Sequence, residues 1–336
     1  MSNILVAGAG GFIGGHLVKR LISDGHNVVG VDLKPLENWF QLSQKAKNYS
    51  LDLKDFNNCL KVTENINSVF NLACNMGGMG FIENNKAECM LSVLINTNLL
   101  RSCKINGIKK YLFSSSACIY NTSLQKKPFV DGLREEDAYP AYPEDGYGWE
   151  KLFSERMCRH FYEEFGIETR VARYHNIYGP YGTFDGGREK APAAICRKVA
   201  VAKIKKLDSI EIWGDGKQTR SFLYIDDCIE GTLKLFNSNH PEPLNIGSDE
   251  QVSINQLVDI TEKISNLKLE RKYLLSKPKG VRGRSSNNDN LKKILNWNYT
   301  IKLKDGMEKT YDWIFKSLNN NSADINKFTK DSDQLS

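Results

Sequence analysis

Short apolar runs alternate with longer stretches of helical periodicity through the first half of the chain. Asn3–Ala7 is an apolar run of strand length, and Phe12–Ser23 then sets Leu17, Leu21 and Ile22 on one helical face. Asn27–Val31 reads as a second strand ending at Asp32, with Ser68–Leu72 and Lys110–Phe113 as further short strands. The pattern predicts a long helix over Glu83–Cys103 and another over Tyr147–Phe165, the latter leading into a strand at Glu168–Arg173. Strands alternating with helices build parallel βαβ units, so the chain is read as α/β, with a doubly wound parallel sheet of Rossmann type over residues 1–175. After that the rhythm changes. Gly, Pro and aromatic residues gather in Tyr178–Gly187, followed by a helix from Pro192, a strand near Ile210–Trp213 and a helix from Asp226. This predicts a smaller mixed α/β domain over 176–318, with some return to the first sheet. Residues 319–336, rich in Asn, Ser, Asp and Lys, are expected to form a disordered tail. No internal repeat is visible.

Composition adds exclusions. The chain has 336 residues, 40% hydrophobic and 26% charged, enough to bury a sizeable core. The net charge of +6 is spread without long basic runs, which suits an anionic small-molecule ligand better than nucleic acid. No stretch approaches the ~20 apolar residues of a membrane span, and no charged segment followed by an apolar run opens the chain as a secretory signal does. The eight cysteines show neither C-x-x-C spacing nor a Cys/His cluster, so free thiols in a cytoplasmic enzyme are expected, with no metal site.

Two motifs carry chemistry. Gly8, Gly11 and Gly14 give G-x-x-G-x-x-G between a predicted strand and a predicted helix. Glycine is needed there because a Cβ would hold the backbone, and the amides of Phe12 and Ile13, away from a pyrophosphate on the helix end. Asp32, closing the next strand, is placed to accept from a ribose hydroxyl and to repel a 2′-phosphate, which favours NAD over NADP, although Lys34 lies nearby. Asp52 is a second acid, a partner for the adenine amino group. The other motif is Tyr147-Gly148-Trp149-Glu150-Lys151, Y-x-x-x-K at a helix start. Positions i and i+4 share a helical face, so Lys151 stands beside Tyr147 and favours its deprotonation. Ser114-Ser115-Ser116 follows a predicted strand upstream, and the Ser116 hydroxyl can share a substrate oxygen with the tyrosine.

These motifs, in this order, resemble the extended short-chain dehydrogenase/reductases from Asn3 to about Lys316. The resemblance implies tightly bound NAD and a nucleotide-sugar substrate. The stretch Trp213–Gly216 with Gln218-Thr219-Arg220 is similar to that family's nucleotide-sugar segment, and Arg220 and Arg284 are its implied diphosphate ligands. Three strings narrow the likeness: Met76–Phe81, which contains Gly77; Ser116-Ala117-Cys118-Ile119-Tyr120; and Gly186–Ala194. They resemble the GDP-mannose 3,5-epimerase branch, with Asn121 departing from an expected proline. In that branch the residues matching Cys118 and Lys190 form a general acid/base pair, and Asn176, Glu189, Ala191 and, more weakly, Lys198 are implied sugar or diphosphate contacts. The chemistry agrees. A C4 ketone acidifies C3 and C5, and inverting either carbon needs a base on one face and an acid on the other, whereas a plain C4 epimerase needs neither. Which residue is the base is open in the sequence; the thiol is favoured, its ordinary pKa of ~8.5 lying nearer neutrality than the ~10.4 of lysine. Other readings also stay open: a C4-oxidising dehydrogenase of a GDP-sugar or GDP-heptose, a single-centre epimerase, or a non-catalytic NAD sensor, against which the intact Tyr147, Lys151 and Ser116 argue. The branch also implies a homodimer built on the two long helices.

Overall fold

A computed structural model describes residues 1–320. Seven parallel strands form the central sheet: β1 (Asn3–Ala7), β2 (Asn27–Asp32), β3 (Lys47–Ser50), β4 (Ser68–Asn71), β5 (Lys110–Ser116), β6 (Glu168–Tyr174) and the late strand Leu244–Ile246. Their spatial order runs from Leu244–Ile246 through β6, β5, β4 and β1 to β2 and β3. Each neighbouring pair is parallel, for example Leu5 beside Val29 and Val69. The central strands β1 and β4 are buried nearly throughout because helices cover both faces, whereas the edge strand β3, Lys-Asn-Tyr-Ser, is not. Leu5, Val6, Phe70 and Leu112 are fully buried between those layers.

The helices follow the predicted alternation with one correction. α1 (Phe12–Ser23) and α2 (Phe56–Val62) come first. The single helix expected over Glu83–Cys103 is three: α3 (Met79–Asn84), α4 (Lys86–Met90) and α5 (Val93–Ile105). Asn85, at φ −131° and ψ 44°, breaks the first junction. At the second, the Ser92 hydroxyl accepts from the Asn75 amide at 2.9 Å and ties the break to the loop after β4. Periodicity alone does not register such breaks, because the apolar face continues across them. α6 (Tyr147–Phe165) is continuous and ends at Gly166 in the left-handed conformation.

The chain order reverses about β1 and β4, so the carboxyl ends of the strands open a crevice there, the usual ligand position in such a sheet. Beyond β6 lie α7 (Ala191–Lys205), a parallel pair of Ser209–Trp213 with Glu270–Leu274, and a three-strand ribbon holding Thr219–Ser221 and Gly283–Arg284. These elements stand over the crevice, while Leu244–Ile246 rejoins the main sheet. Asn319 and Asn320 close the last helix, Leu303–Asn320, instead of belonging to a tail; the rest of the expected tail lies outside the described residues. No described helix is long and apolar enough to cross a membrane.

Candidate active site

The cofactor end is made by backbone. Gly8, at φ +84°, turns the chain off β1, and a Cβ on it would sit 2.8 Å from the carbonyl carbon of Leu72, just after β4. A Cβ on Gly14 would run into the Gly8 carbonyl oxygen, so α1 packs against the turn only with glycine there. Gly11 caps α1 without any side-chain hydrogen bond, which leaves the first amides of the helix, from Phe12 and Ile13 onward, unoccupied by a capping side chain. Asp32 ends β2, its carboxylate accepting from the Lys34 amide at 3.0 Å. The Lys34 ammonium is spent on the Gly10 carbonyl at 2.7 Å. Asp52 follows β3, half-exposed, and the adjacent Leu51 amide donates to the Asp32 carbonyl at 2.9 Å, bringing the two acids to one rim. A glycine cradle, an open helix end and a carboxylate at the second strand fit a dinucleotide of the NAD type.

The catalytic end is made by buried side chains. β5 runs through all three serines, and Ser116 caps the short turn Ala117–Ile119, its hydroxyl accepting from the Cys118 amide at 3.2 Å. α6 begins at Tyr147 because Gly146, at φ +72°, redirects the chain, and Gly148 lets the helix start press against the Cys118 carbonyl. Lys151 stands one turn on, its ammonium 5.6 Å from the Tyr147 ring centroid, 4.7 Å from that of Phe113 and 3.5 Å from Glu150. Burial pulls its pKa down, but Cys74 and Glu150 outweigh this and hold it above the ordinary value, so it remains an ammonium. Burial pushes the Tyr147 phenol well up, with a hydrogen bond to Ser116 acting the other way. The resting phenol is therefore protonated.

A cavity of about 630 Å³ opens from this cluster toward the second half of the chain. Gly77, Ser116, Ala117, Cys118 and Tyr147 form one wall, and Asn176, Glu189, Lys190 and Ala191 another. Lys190 directly precedes α7, whose Pro192 favours a helix start there. Asn176 adopts φ +46°, its amide donating to the Ser221 carbonyl at 3.0 Å. Glu189 pairs through one oxygen with Arg197 at 3.1 Å, and its other oxygen, like the Gln218 side-chain oxygen, is buried without a hydrogen-bond partner. Such atoms suit a polar ligand. Lys198 lines the cavity with its ammonium on the Glu211 carbonyl at 2.8 Å. Arg284 is buried in the lining and Arg220 half-buried; desolvation and the neighbouring Arg284 pull Arg220 down to about 10.

One expectation changes. Thr219 does not line the cavity: its hydroxyl donates to the Pro128 carbonyl and accepts from Gln251 at 2.9 Å. The preference for Cys118 as base rests on ordinary pKa values, and both groups are shifted in the fold. Burial, then the Glu144 carboxylate, pushes the thiol up to about 11, while burial lowers the Lys190 ammonium. The lysine is therefore the group shifted toward a neutral base. Glu144, Gln125 and Arg188 were not singled out from sequence. Arg188 lies over the Phe81 ring at 3.7 Å and donates to Asn75 at 2.9 Å, latching the segment before Lys190 onto the glycine-rich loop. No local pattern announces these contacts, since the partners are more than a hundred residues apart.

Fold and site together define a dinucleotide-dependent enzyme of the short-chain dehydrogenase/reductase kind, with a second, polar cavity beside its tyrosine–lysine pair. More particularly, the chain belongs to the NAD dependent epimerase/dehydratase family, whose model matches residues 4–247. It is 48% identical over 316 residues to GDP-mannose 3,5-epimerase 1 of Oryza sativa subsp. indica, covering 94% of this chain and 82% of that protein. It is 46% identical over 321 residues to GDP-mannose 3,5-epimerase of Arabidopsis thaliana, covering 95% and 84%. Among solved structures it is similar to UDP-glucose 4-epimerase of Thermotoga maritima with UDP-glucose (TM-score 0.84, 26% identity, 94% of this chain and 99% of that chain). It is also similar to UDP-glucuronic acid 4-epimerase of Bacillus cereus with UDP-glucuronic acid and NAD (TM-score 0.80, 27% identity, 94% and 99%).

Proposed function

We propose that this chain epimerises GDP-mannose at C3 and C5 through a transient 4-keto sugar. The observation that carries the reading is the sharing of one cavity by Tyr147, Cys118 and Lys190. A C4 epimerase uses the tyrosine alone; two further proton carriers are needed only to invert a carbon next to the ketone. The likeness to plant GDP-mannose 3,5-epimerases along almost the whole chain supports the same substrate.

The chemistry that bound NAD supplies is reversible removal of hydride from C4. The rest falls to the chain. Tyr147 accepts the C4 hydroxyl proton, the Lys151 ammonium stabilises the phenolate so formed, and the Ser116 hydroxyl holds the sugar oxygen. With C4 a ketone, one of Cys118 and Lys190 removes the proton from C5 or C3, and the other delivers one from the opposite face. Tyr147 then returns its proton and the alcohol is restored with no net redox change. Arg220, Gln218, Asn176, Glu189 and Lys198 bind the nucleotide-sugar; arginine suits the diphosphate through its two-pronged donors. Incubation with GDP-mannose in deuterated water tests the reading. Deuterium at C3 and C5 of the products is expected, and epimerisation without solvent deuterium contradicts it.

The reading includes a homodimer. Met90, Leu91 and Leu94 around the α4–α5 junction, and Trp149 and Phe153 on the adjacent α6, are exposed apolar side chains. Pairing them across a two-fold axis buries what water otherwise meets. Light scattering at micromolar concentration is expected to give twice the mass of one chain; a monomer contradicts this part.

A further inference from the structure

Behind Cys118 lies a buried ion pair that the reaction as described does not use. Glu144 sits in the turn three residues before Tyr147, and its backbone amide donates to the Cys118 carbonyl at 3.0 Å. One carboxylate oxygen accepts from Arg284 at 2.9 Å, and the other is buried with no hydrogen-bond partner. The same guanidinium holds Gln125 at 2.6 Å and approaches the Cys118 sulfur at 3.5 Å. Glu144 and Arg284 are 9% and 3% exposed, so solvent screens them little.

The groups facing the thiol are the cations of Arg284, Lys190 and Arg220, the neutral Tyr147 phenol and Ser116 hydroxyl, and this one carboxylate. Three cations around a thiol favour thiolate. From the geometry we infer that Glu144 is a positioning residue that neutralises Arg284, fixes the Cys118 backbone and holds the Cys118 thiol less acidic than the surrounding cations would make it. Burial acts in the same direction, and the effect of Glu144 on the thiol exceeds the opposing effect of Arg284. The carboxylate itself stays ionised: burial raises it, but Arg284, Cys118 and Arg220 together bring it below its ordinary value.

This rests on the acid/base reading of Cys118, but its test needs no turnover. The readout is the pH dependence of iodoacetamide alkylation at Cys118, followed on the Cys118 peptide by mass spectrometry so that the other thiols do not interfere. Glu144→Gln keeps size and hydrogen bonding and removes the charge. A neighbouring charge moves a pKa by about one to three units, so alkylation of E144Q at pH 8 is expected to rise about tenfold or more over wild type. Glu144→Asp keeps the charge and is expected to keep the wild-type profile. Arg284→Gln leaves Glu144 unopposed and is expected to slow alkylation, which serves as the test if E144Q does not fold. A folded E144Q with the wild-type profile, or an R284Q that alkylates faster, overturns the inference, and either result leaves the deuterium test of epimerisation untouched.

Discussion

The two ends of the crevice are built by different physics. The cofactor end is one contiguous βαβ segment in which glycine backbone does the binding and Asp32 is the one acid at the second strand's end. The catalytic end draws on Gly77, Ser116, Cys118, Tyr147, Lys190 and Arg284, brought together from across the chain, and works through charges that burial leaves unscreened. The first depends on the absence of a Cβ at Gly8 and Gly14. The second depends on each charge having its neighbour, because a lone buried charge is costly.

Tyr147→Phe is the sharpest break of that contrast. It deletes one oxygen and little packing, so turnover is expected to fall about 10²–10⁴-fold while GDP-mannose and NAD still bind. Steady-state kinetics with calorimetric binding checks this; near-normal turnover removes Tyr147 from the chemistry. At the other end Asp32→Ala is expected to weaken NAD binding by about 1.5–3 kcal/mol, roughly ten- to a hundredfold, and to relax discrimination against NADP. Unchanged affinity and selectivity by calorimetry contradict the role of Asp32.

Gly14→Ala tests whether backbone closeness decides the cofactor end. Its Cβ has no room against the Gly8 carbonyl, so a stability loss of about 1–3 kcal/mol with weakened NAD binding is expected in urea titrations. An alanine variant of native stability and affinity removes the argument. A further effect lies in alkaline stability. Cys118 is raised from its ordinary range to about 11 in the fold. Its contribution is intact below pH 9 and is lost as pH rises toward 11, because the unfolded chain gives up the proton first. Cys118→Ser should therefore flatten the fall in stability over that window by about 1.4 kcal/mol per pH unit. Parallel curves for the two proteins contradict the raised thiol.

The same division decides what sequence reading reaches. Strand and helix order, the glycine turn, Asp32 and the Tyr147–Lys151 spacing are local, and each is legible because its partners lie within a turn or a strand. The helix break at Asn85 was not, because its apolar face continues through it. Nor was the outward turn of Thr219 onto Pro128, which depends on a distant loop. Cys118 and Lys190 were found through whole strings resembling a family, and spacing alone says nothing of them. The charges that set their acidity are not legible there, because Glu144 and Arg284 stand 140 positions apart and the pair exists only in the fold.

The central claim is that oxidation at C4 and proton exchange at its neighbours are done by different residues of one cavity. Cys118→Ser and Lys190→Ala, mixed with GDP-mannose in deuterated water, separate the two. NADH absorbance should still appear in both variants, since Tyr147, Lys151 and Ser116 are intact, while deuterium uptake at C3 and C5 and formation of the epimers are lost. Wild-type rates of inversion and deuterium uptake in both variants contradict the account and leave a plain C4 oxidation or epimerisation in its place.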